Sequence, residues 1–292
     1  MNGSLSRRLL FGLASSQRFE QAVRRFPGLY GHAARAARRY VAGTRREHAF
    51  AVVAQLDAAG MAGSIDLLGE HVRDAAEAER VTGEYVELAK LLRDLPERTW
   101  LALDLSHVGL GLSADFCRRQ VARIVEALPM GRWLQIGAED SDRTDATLDV
   151  VTALADESAA LTMTLQANLR RTPADAERLA EAEVPIRLVK GAYVEHPSLA
   201  HPWGEATDHA FAQLAHQLRA GGARFSLATH DPLLREALLA AFGPVEVEML
   251  LGVRSPDARE LVARGIPVRR YVPFGRDWFR YWMRRVAESR GA

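Results

Sequence analysis

Eight short apolar runs, separated by longer amphipathic stretches, constrain the fold of this chain more than any other feature. The runs occupy residues 64–70, 99–106, 132–139, 161–168, 184–193, 224–231, 245–253 and 268–275. Near-continuous apolar strands that alternate with helices indicate parallel pairing, with both faces of the sheet covered. Eight such strands favour an α/β fold of the closed, TIM-like (β/α)8 type over an open doubly wound sheet. No Gly-x-Gly-x-x-Gly sequence follows a run, so a Rossmann dinucleotide site is not predicted.

The segment before the first run differs from the rest of the chain in composition and periodicity. Residues 1–62 are rich in Ala and Arg and show helical periodicity without strand-like alternation. We expect them to form a helical segment packed on a barrel of residues 63–292, within one domain, because no Pro- or Ser-rich linker divides the chain. The opening residues, MNGSLSRRLLFGLASSQ, weakly imitate a signal peptide, but Gly12 interrupts their apolar stretch. We interpret them as an ordinary first helix, which predicts a cytoplasmic protein.

Composition narrows the classes of partner. The chain has 38 basic and 37 acidic residues, a net charge of +1, so nucleic acid is not an expected partner. No apolar run approaches the roughly 20 residues that cross a bilayer. Cys117 is the single cysteine, which excludes an intrachain disulfide and a Cys-based zinc site. Its amphipathic helical setting favours an inert, buried thiol, and we expect no metal site.

Polar side chains end the apolar runs. In barrels of this type the reactive residues lie at the carboxyl ends of the strands. The candidates are Glu70, Asp104, Ser106, Glu139, Gln166, Lys190, Thr229, His230, Glu248 and Tyr271. One such residue often only caps the helix that follows. Polar groups at the ends of all eight runs, directed toward one mouth, favour a functional site instead.

The last helical stretch carries a more specific pattern. Tyr281, Arg284, Arg285 and Glu288 fall at positions i, i+3, i+4 and i+7, along one helical face. Two guanidinium groups suit planar recognition of a carboxylate or a phosphate. Adjacent arginines on a terminal helix are more often only solvated, but the neighbouring Tyr271 and the helix aromatics favour a binding role.

The fifth run, IRLVKGAYVE, is unusual for a simple strand. Arg187 and Lys190 interrupt its apolar residues, and Gly191 lets the backbone approach a neighbouring group closely. Tyr193 adds a flat aromatic ring. Basic groups, a glycine and an aromatic ring at one strand end suit an anionic, flat ligand such as a flavin nucleotide.

Seven short motifs give these segments a family context. DLLGE, QAN, RLVKGAY, ATHD, EMLLGV, YVPFG and YWMRRVAE occur in this order over nearly the whole chain. The series resembles the proline dehydrogenase family. The resemblance implies an FAD-containing (β/α)8 barrel whose final helix lies across the mouth. It also implies hydride transfer from the substrate carbon next to nitrogen to flavin N5, giving pyrroline-5-carboxylate, and reoxidation of the flavin by a quinone or another acceptor.

The resemblance implies roles for the substrate-binding residues. Arg284 and Arg285 would bind the substrate carboxylate, and Tyr271 and Tyr281 would form walls of the pocket. Glu70 would pair with Arg284 and gate the pocket.

The resemblance implies a cofactor site as well, with FAD bound noncovalently. Its residues would be Gln166, Arg187, Val189, Lys190, Gly191, Ala192, Tyr193, Thr229, His230, Glu248 and Glu288. Arg187 would lie near the reactive edge of the flavin and Gln166 near its pyrimidine side. A cation at that edge favours the anionic reduced flavin.

Several positions depart from the family pattern. Asp104 replaces a lysine that helps to bind the carboxylate, and Gly137 replaces an aspartate. Asn168 replaces a tyrosine, Glu248 replaces a glutamine, and the chain stops at Ala292, where the family usually continues. We expect Asp104 and Gly137 to change the substrate, because a carboxylate moves from one strand end to the neighbouring one.

Three functions stay open at this point. The first is an FAD-dependent dehydrogenase that acts on proline or a similar amino or imino acid. The second is a diverged flavoenzyme of specialised metabolism whose substrate carries an additional amine or hydrazine nitrogen. The third is a catalytically silent flavin-binding protein. The basic residues between 19 and 43 are interpreted as a solvated helical face, with an anion-binding or membrane-surface patch as the alternative.

Overall fold

The fold is a closed barrel, seen in a computed structural model that describes residues 17–157 and 160–289. Within these residues, eight parallel strands follow one another around the barrel, and the first pairs with the last. The strands are β1 (Ala62–Leu67), β2 (Thr99–Leu103), β3 (Leu134–Ile136), β4 (Leu161–Gln166), β5 (Ile186–Val189), β6 (Phe225–Ala228), β7 (Val247–Leu250) and β8 (Val268–Phe274). Each lies within its predicted apolar run, except that β1 begins two residues earlier.

Helices precede, connect and follow these strands. They are α1 (Gln17–Arg24), α2 (Pro27–Ala37), α3 (Arg46–Ala58), α4 (Ala75–Leu91), α5 (Ala114–Glu126), α6 (Thr144–Ala155), α7 (Thr172–Glu181), α8 (Glu205–Ala220), α9 (Pro232–Phe242), α10 (Ser255–Ala263) and α11 (Trp278–Ser289). Local sequence explains several starts. Asp74, Ser113 and Asp231 each accept a backbone N–H with their side chains at the first turn of α4, α5 and α9.

Apolar and polar residues occupy opposite faces of the strands. Ile65, Leu101 and Leu134 are fully buried in the apolar layer between strands and helices. Because side chains alternate along a strand, the neighbouring positions point into the barrel. These inward residues are polar and buried, among them Ser64, Asp66, Gln135, Thr162, Thr164, Gln166, Ser226 and Glu248. A polar interior positions hydrogen-bonding groups beneath the mouth.

The N-terminal helices and the last helix share a second apolar cluster. Helix α3 packs against β1 and β8, and α2 contacts α11. In this cluster the ring of Tyr30 lies 5.2 Å from that of Trp278 and 6.4 Å from that of Phe279. Tyr281 of α11 packs against Tyr271 of β8, at 5.9 Å between ring centroids. The predicted (β/α)8 barrel, with N-terminal helices and a final helix over its mouth, is therefore confirmed.

Three further expectations concern single features. Cys117 is fully buried, and burial raises the pKa of its thiol to about 12, which agrees with an inert side chain. Within residues 17–157 and 160–289, no helix is both long enough and apolar enough to cross a bilayer. The interpretation of the first residues as a helix rather than a signal peptide falls on residues 1–16, outside the described part of the chain.

Candidate active site

A buried aspartate joins β1 to β8 under the mouth. Asp66 accepts hydrogen bonds from the hydroxyl of Tyr271 and, at 3.0 Å, from that of Tyr85. Burial raises the pKa of Asp66 to about 6, although both tyrosines and Arg284 oppose that rise. Burial and the nearby Asp66 also raise the pKa of Tyr271 well above its usual range. The Tyr271 ring is therefore held in one orientation as a neutral wall of the mouth.

An ion-pair cluster fastens α11 to the loop after β1. Glu70 Oε2 lies 3.3 Å from Arg284 Nη1, and Glu70 Oε1 lies 2.8 Å from Arg280 Nη1. Arg280 also approaches Glu20 of α1, at 3.8 Å. Burial would raise the pKa of Glu70, but Arg284 and Arg280 hold it below its ordinary value. The geometry thus brings together the predicted pair of Glu70 and Arg284, and it adds Arg280, which was not predicted.

The two adjacent arginines of α11 lie among aromatic and acidic groups. The Arg285 guanidinium lies 5.0 Å from the ring centre of Tyr281. Burial alone would lower the pKa of Arg284, yet Glu70, Tyr193 and Asp104 raise it overall, so the side chain stays cationic. Fixed cations next to flat aromatic rings can hold a small carboxylate in one orientation.

Asp104 and Gly137, at neighbouring strand ends, interlock. A Cβ atom added at Gly137 would collide with Asp104 Oδ1, so the aspartate fills the space that a side chain at position 137 would need. Burial raises the pKa of Asp104 well above its usual range, and Asp66, Glu139 and Glu70 add to that rise, while Arg284 opposes it. Among the described residues, no cation lies within ion-pair distance of the Asp104 carboxylate. The two departures from the family pattern are therefore one structural feature.

A hydrogen-bonded network lies deeper in the barrel. Glu248 Oε2 accepts from Arg187 Nε at 2.8 Å, and Glu248 Oε1 accepts from Ser226 Oγ at 2.7 Å. Gln135 Nε2 donates to both carboxylate oxygens, at 3.0 and 3.1 Å. Glu248 is 2% exposed. Gln135 and Ser226 were not predicted, although alternation along their strands places both side chains on the inward face.

The ends of β4 and β5 form a second wall. Gln166 donates to the Glu139 carbonyl at 2.9 Å and accepts from the Ala192 N–H at 3.3 Å. Gly191 has φ of +114°, and a Cβ there would collide with the side chain of Asn168. The predicted close approach at Gly191 is thus an approach to Asn168.

Charged groups surround the ends of β5 and β6. Lys190 Nζ pairs with Asp208 at 2.5 Å and with Asp231 at 2.9 Å. His230 Nε2 accepts the N–H of Leu250 at 3.0 Å. Burial, followed by the charges of Arg285 and three other arginines, lowers the pKa of His230 to about 3. His230 is therefore neutral at physiological pH.

The remaining predicted residues occupy the same end of the barrel. Thr229 is buried at the end of β6, and its hydroxyl accepts the N–H of Asp231 at 3.2 Å. Val189 ends β5, and Tyr193 follows it, with a hydroxyl whose pKa is raised by burial. Glu288 lies on α11, but its side chain is outside the described part of the structure.

Comparisons with known proteins give this chain a family. The sequence model described as proline dehydrogenase matches residues 49–292. The proline dehydrogenase of Deinococcus radiodurans is 32% identical over 269 residues, which cover 87% of this chain and 86% of that protein. Proline dehydrogenase 1 of Bacillus subtilis strain 168 is 33% identical over 261 residues, covering 86% of each.

Solved structures share the fold. Proline utilization A from Bdellovibrio bacteriovorus, inactivated by N-propargylglycine, aligns with a TM-score of 0.79 and 19% identity, over 99% of this chain and 37% of that one. A mutant of Bradyrhizobium japonicum proline utilization A aligns with a TM-score of 0.74 and 23% identity, over 94% of this chain and 33% of that one. The chain thus spans about a third of these larger proteins. With its sequence matched over residues 49–292 and its barrel closed in the same way, this chain belongs to the proline dehydrogenase family.

Proposed function

We propose that this chain is an FAD-dependent dehydrogenase that oxidises proline, or a small amino or imino acid like it, at its C–N bond. The main support for the proposal is the arrangement of the barrel mouth. Arg284, Arg285 and two tyrosines form one side of it, and basic and glycine-containing strand ends form the second wall. An acid-binding pocket next to a cradle for an anionic, flat cofactor is the arrangement that such an oxidation needs.

The residues of the second wall fit a flavin. Asn168 Oδ1 is buried and lacks a hydrogen-bond partner among the described residues, beside the glycine turn. The terminal nitrogens of Arg187 likewise have no hydrogen-bond partner in the described part of the chain. We assign cofactor binding to Gln166, Arg187, Val189, Lys190, Gly191, Ala192, Tyr193, Thr229, His230 and Glu288. We place Glu248, the remaining residue of the predicted set, behind Arg187 instead, because its carboxylate is buried and hydrogen-bonded within the barrel. When bound there, FAD supplies the hydride acceptor.

The protein's own groups bind and orient the substrate. Arg284 and Arg285 would bind the carboxylate, and each charge-assisted contact contributes roughly 1.5–3 kcal/mol. Glu70 holds Arg284 from the side at 3.3 Å, which restricts its rotamers. Tyr271, held by Asp66, and Tyr281 would enclose the substrate ring and exclude water. These contacts would hold the substrate so that its carbon next to nitrogen is directed toward the second wall of the mouth.

An absorbance experiment tests the proposal. Purified protein should bind FAD noncovalently and show the bands of oxidised flavin, and anaerobic addition of proline or a preferred relative should bleach them. A colourless protein that takes up no FAD on titration would contradict the proposal. FAD binding without bleaching by any member of a panel of amino and imino acids would indicate a silent flavin-binding protein instead.

Asp104 supports a second candidate substrate class. Its carboxylate lies near Arg284 but has no cationic partner in the described part of the chain, and burial and acidic neighbours disfavour its ionised form. A substrate amine or hydrazine nitrogen could supply the missing cation or donor. The second candidate is therefore an acid that carries an additional basic nitrogen.

A substrate panel separates the two candidates. Proline, hydroxyproline, and amine- or hydrazine-bearing acids are compared on the wild type and on the double variant Asp104→Lys/Gly137→Asp. The second candidate predicts that the wild type prefers a nitrogen-bearing acid and that the double variant gains efficiency with proline. It is abandoned if the wild type prefers proline and oxidises it as efficiently as the double variant does.

The acceptor and the location follow from the same proposal. We propose a quinone or another small acceptor, a cytoplasmic protein, and one domain in which the N-terminal helices between residues 17 and 62 pack on the barrel. Phe26 and Leu29 are 65% and 56% exposed, next to the exposed Arg24 and Arg25, and such a patch suits contact with an anionic membrane surface. Co-sedimentation with anionic vesicles checks this contact. Binding that does not weaken in Phe26→Ser/Leu29→Ser would contradict it.

A further inference from the structure

Glu248 is a buried carboxylate whose hydrogen bonds all come from inside the barrel. Arg187, Ser226 and Gln135 donate to it at 2.7–3.1 Å, and it is 2% exposed. Three donors, one of them a guanidinium, thus surround this carboxylate. It lies beneath the mouth, in direct contact with one cation.

The partner cation is the arginine that faces the proposed flavin site. Glu248 accepts a hydrogen bond from the Nε–H of Arg187 at 2.8 Å, and the terminal nitrogens of Arg187 have no hydrogen-bond partner among the residues that the structure describes. The side chain of Arg187 is 15% exposed. In so little solvent, the field that Arg187 projects into the mouth depends on how close its counter-charge is. Glu248 compensates that field from below.

We propose that Glu248 is a positioning residue that lowers the reduction potential of the bound flavin by compensating the charge of Arg187. The inference rests on the proposed function, because it needs the flavin to lie next to Arg187. A cation beside the flavin stabilises its electron-rich reduced form. A carboxylate on the far side of that cation weakens the stabilisation, so the oxidised flavin becomes more stable relative to the reduced flavin.

The same strand offers a matched control. Glu246 stands two positions before Glu248 and pairs with Arg269, at 3.0 Å. Arg269 also donates to the carbonyls of Gly63 and Arg98, at the amino ends of the strands, opposite the mouth. Glu246→Gln therefore breaks the same type of ion pair and removes the same charge, but farther from the proposed flavin.

The test is the reduction potential of FAD-loaded protein, measured by equilibration with a reference dye. Glu248→Gln keeps the shape of the side chain and should raise the potential. The expected size is at least a tenfold change in the ratio of reduced to oxidised flavin at a given potential, which is about 30 mV for a two-electron couple. Glu246→Gln should change the ratio less than threefold.

Two further variants separate charge from shape. Glu248→Asp keeps the charge but withdraws it from Arg187, so it should give a smaller rise; it also tests the inference if Glu248→Gln does not fold. Ser226→Ala removes one hydrogen bond without a change of charge and should leave the potential unchanged. A potential in Glu248→Gln equal to or below that of the wild type overturns the inference. Wild-type protein that takes up no FAD overturns the proposed function itself, and the role of Glu248 with it.

Discussion

At the scale of single residues, the interlock of Asp104 and Gly137 makes a prediction about stability. Gly137→Asp would place a second carboxyl group in the space that Asp104 fills, so we expect it to lower the free energy of unfolding by about 1–3 kcal/mol. Asp104→Gly/Gly137→Asp vacates that space and should recover most of the loss. Urea unfolding of the two single variants and the double variant measures the coupling. Strictly additive effects would show that the two positions do not share this space.

His230 predicts a pH dependence. Its Nε2 accepts a backbone N–H, which the protonated ring cannot do, and burial lowers its pKa to about 3 in the folded protein, against about 6.5 in an unfolded chain. As the pH falls, the unfolded chain therefore binds the proton before the folded protein does. The contribution of the neutral His230 ring to the free energy of unfolding is complete above pH 7 and declines from about pH 6.5 toward pH 3. Between pH 7 and 5 the loss is about 2 kcal/mol.

The measurement is the free energy of unfolding of FAD-saturated protein at both pH values. His230→Gln keeps an acceptor for the N–H of Leu250 but does not titrate, so its decline between pH 7 and 5 should be smaller by about that amount. An identical decline in wild type and variant would show that His230 does not titrate as described.

The site residues differ in whether the nearby sequence is enough to predict them. Glu70, Arg284 and Arg285 could be predicted, because a strand end and a helical spacing of three and four place them on known sides of their elements. Asp66 was missed because it stands inside an apolar run, and its partner Tyr85 depends on how α4 packs against β1. The partner of Gly191, the side chain of Asn168, likewise comes from the turn after the neighbouring strand β4 and has no local pattern.

At the scale of elements, strand number and order could be read from the sequence, but strand ends could not. The run at 184–193 contains a strand only from Ile186 to Val189. Lys190 pairs with two aspartates and Gly191 takes a positive φ, so the chain leaves the sheet while its residues are still partly apolar. Such exits depend on side-chain partners that periodicity does not encode.

The docking of α11 predicts a local change in dynamics. Glu70 pairs with two arginines of this helix, and the three side chains are 15–20% exposed. Among the described residues, Glu70→Gln therefore leaves Arg284 without an ion-pair partner and leaves Arg280 with only its 3.8 Å contact to Glu20. We expect a loss of about 1–3 kcal/mol and faster amide hydrogen exchange over residues 278–289. Glu84→Gln removes a solvent-exposed pair with Arg80 and is the control, expected within about 0.5 kcal/mol of wild type. Equal exchange in the two variants would argue against the fastening role of Glu70.

At the scale of the whole molecule, the N-terminal helices complete the site indirectly. Helix α2 packs on α11 through Tyr30, Trp278 and Phe279, and α11 carries the two arginines of the mouth. The sequence predicted a helical N-terminal segment on the barrel, but it could not place that segment behind the last helix. This contact joins residues about 250 positions apart and follows from packing alone.

Rapid mixing of FAD-loaded protein with proline under anaerobic conditions, for the wild type and for Arg284→Met, tests proline oxidation and carboxylate binding by Arg284. We expect proline to bleach the wild-type flavin with a saturable rate. In Arg284→Met, bleaching should need roughly ten- to a hundredfold more proline, the equivalent of about 1.4–2.8 kcal/mol, while the bound flavin is retained. Half-saturation at the same proline concentration in both proteins would contradict carboxylate binding by Arg284. A wild-type flavin that neither proline nor any related amino or imino acid reduces would contradict the proposed dehydrogenase activity.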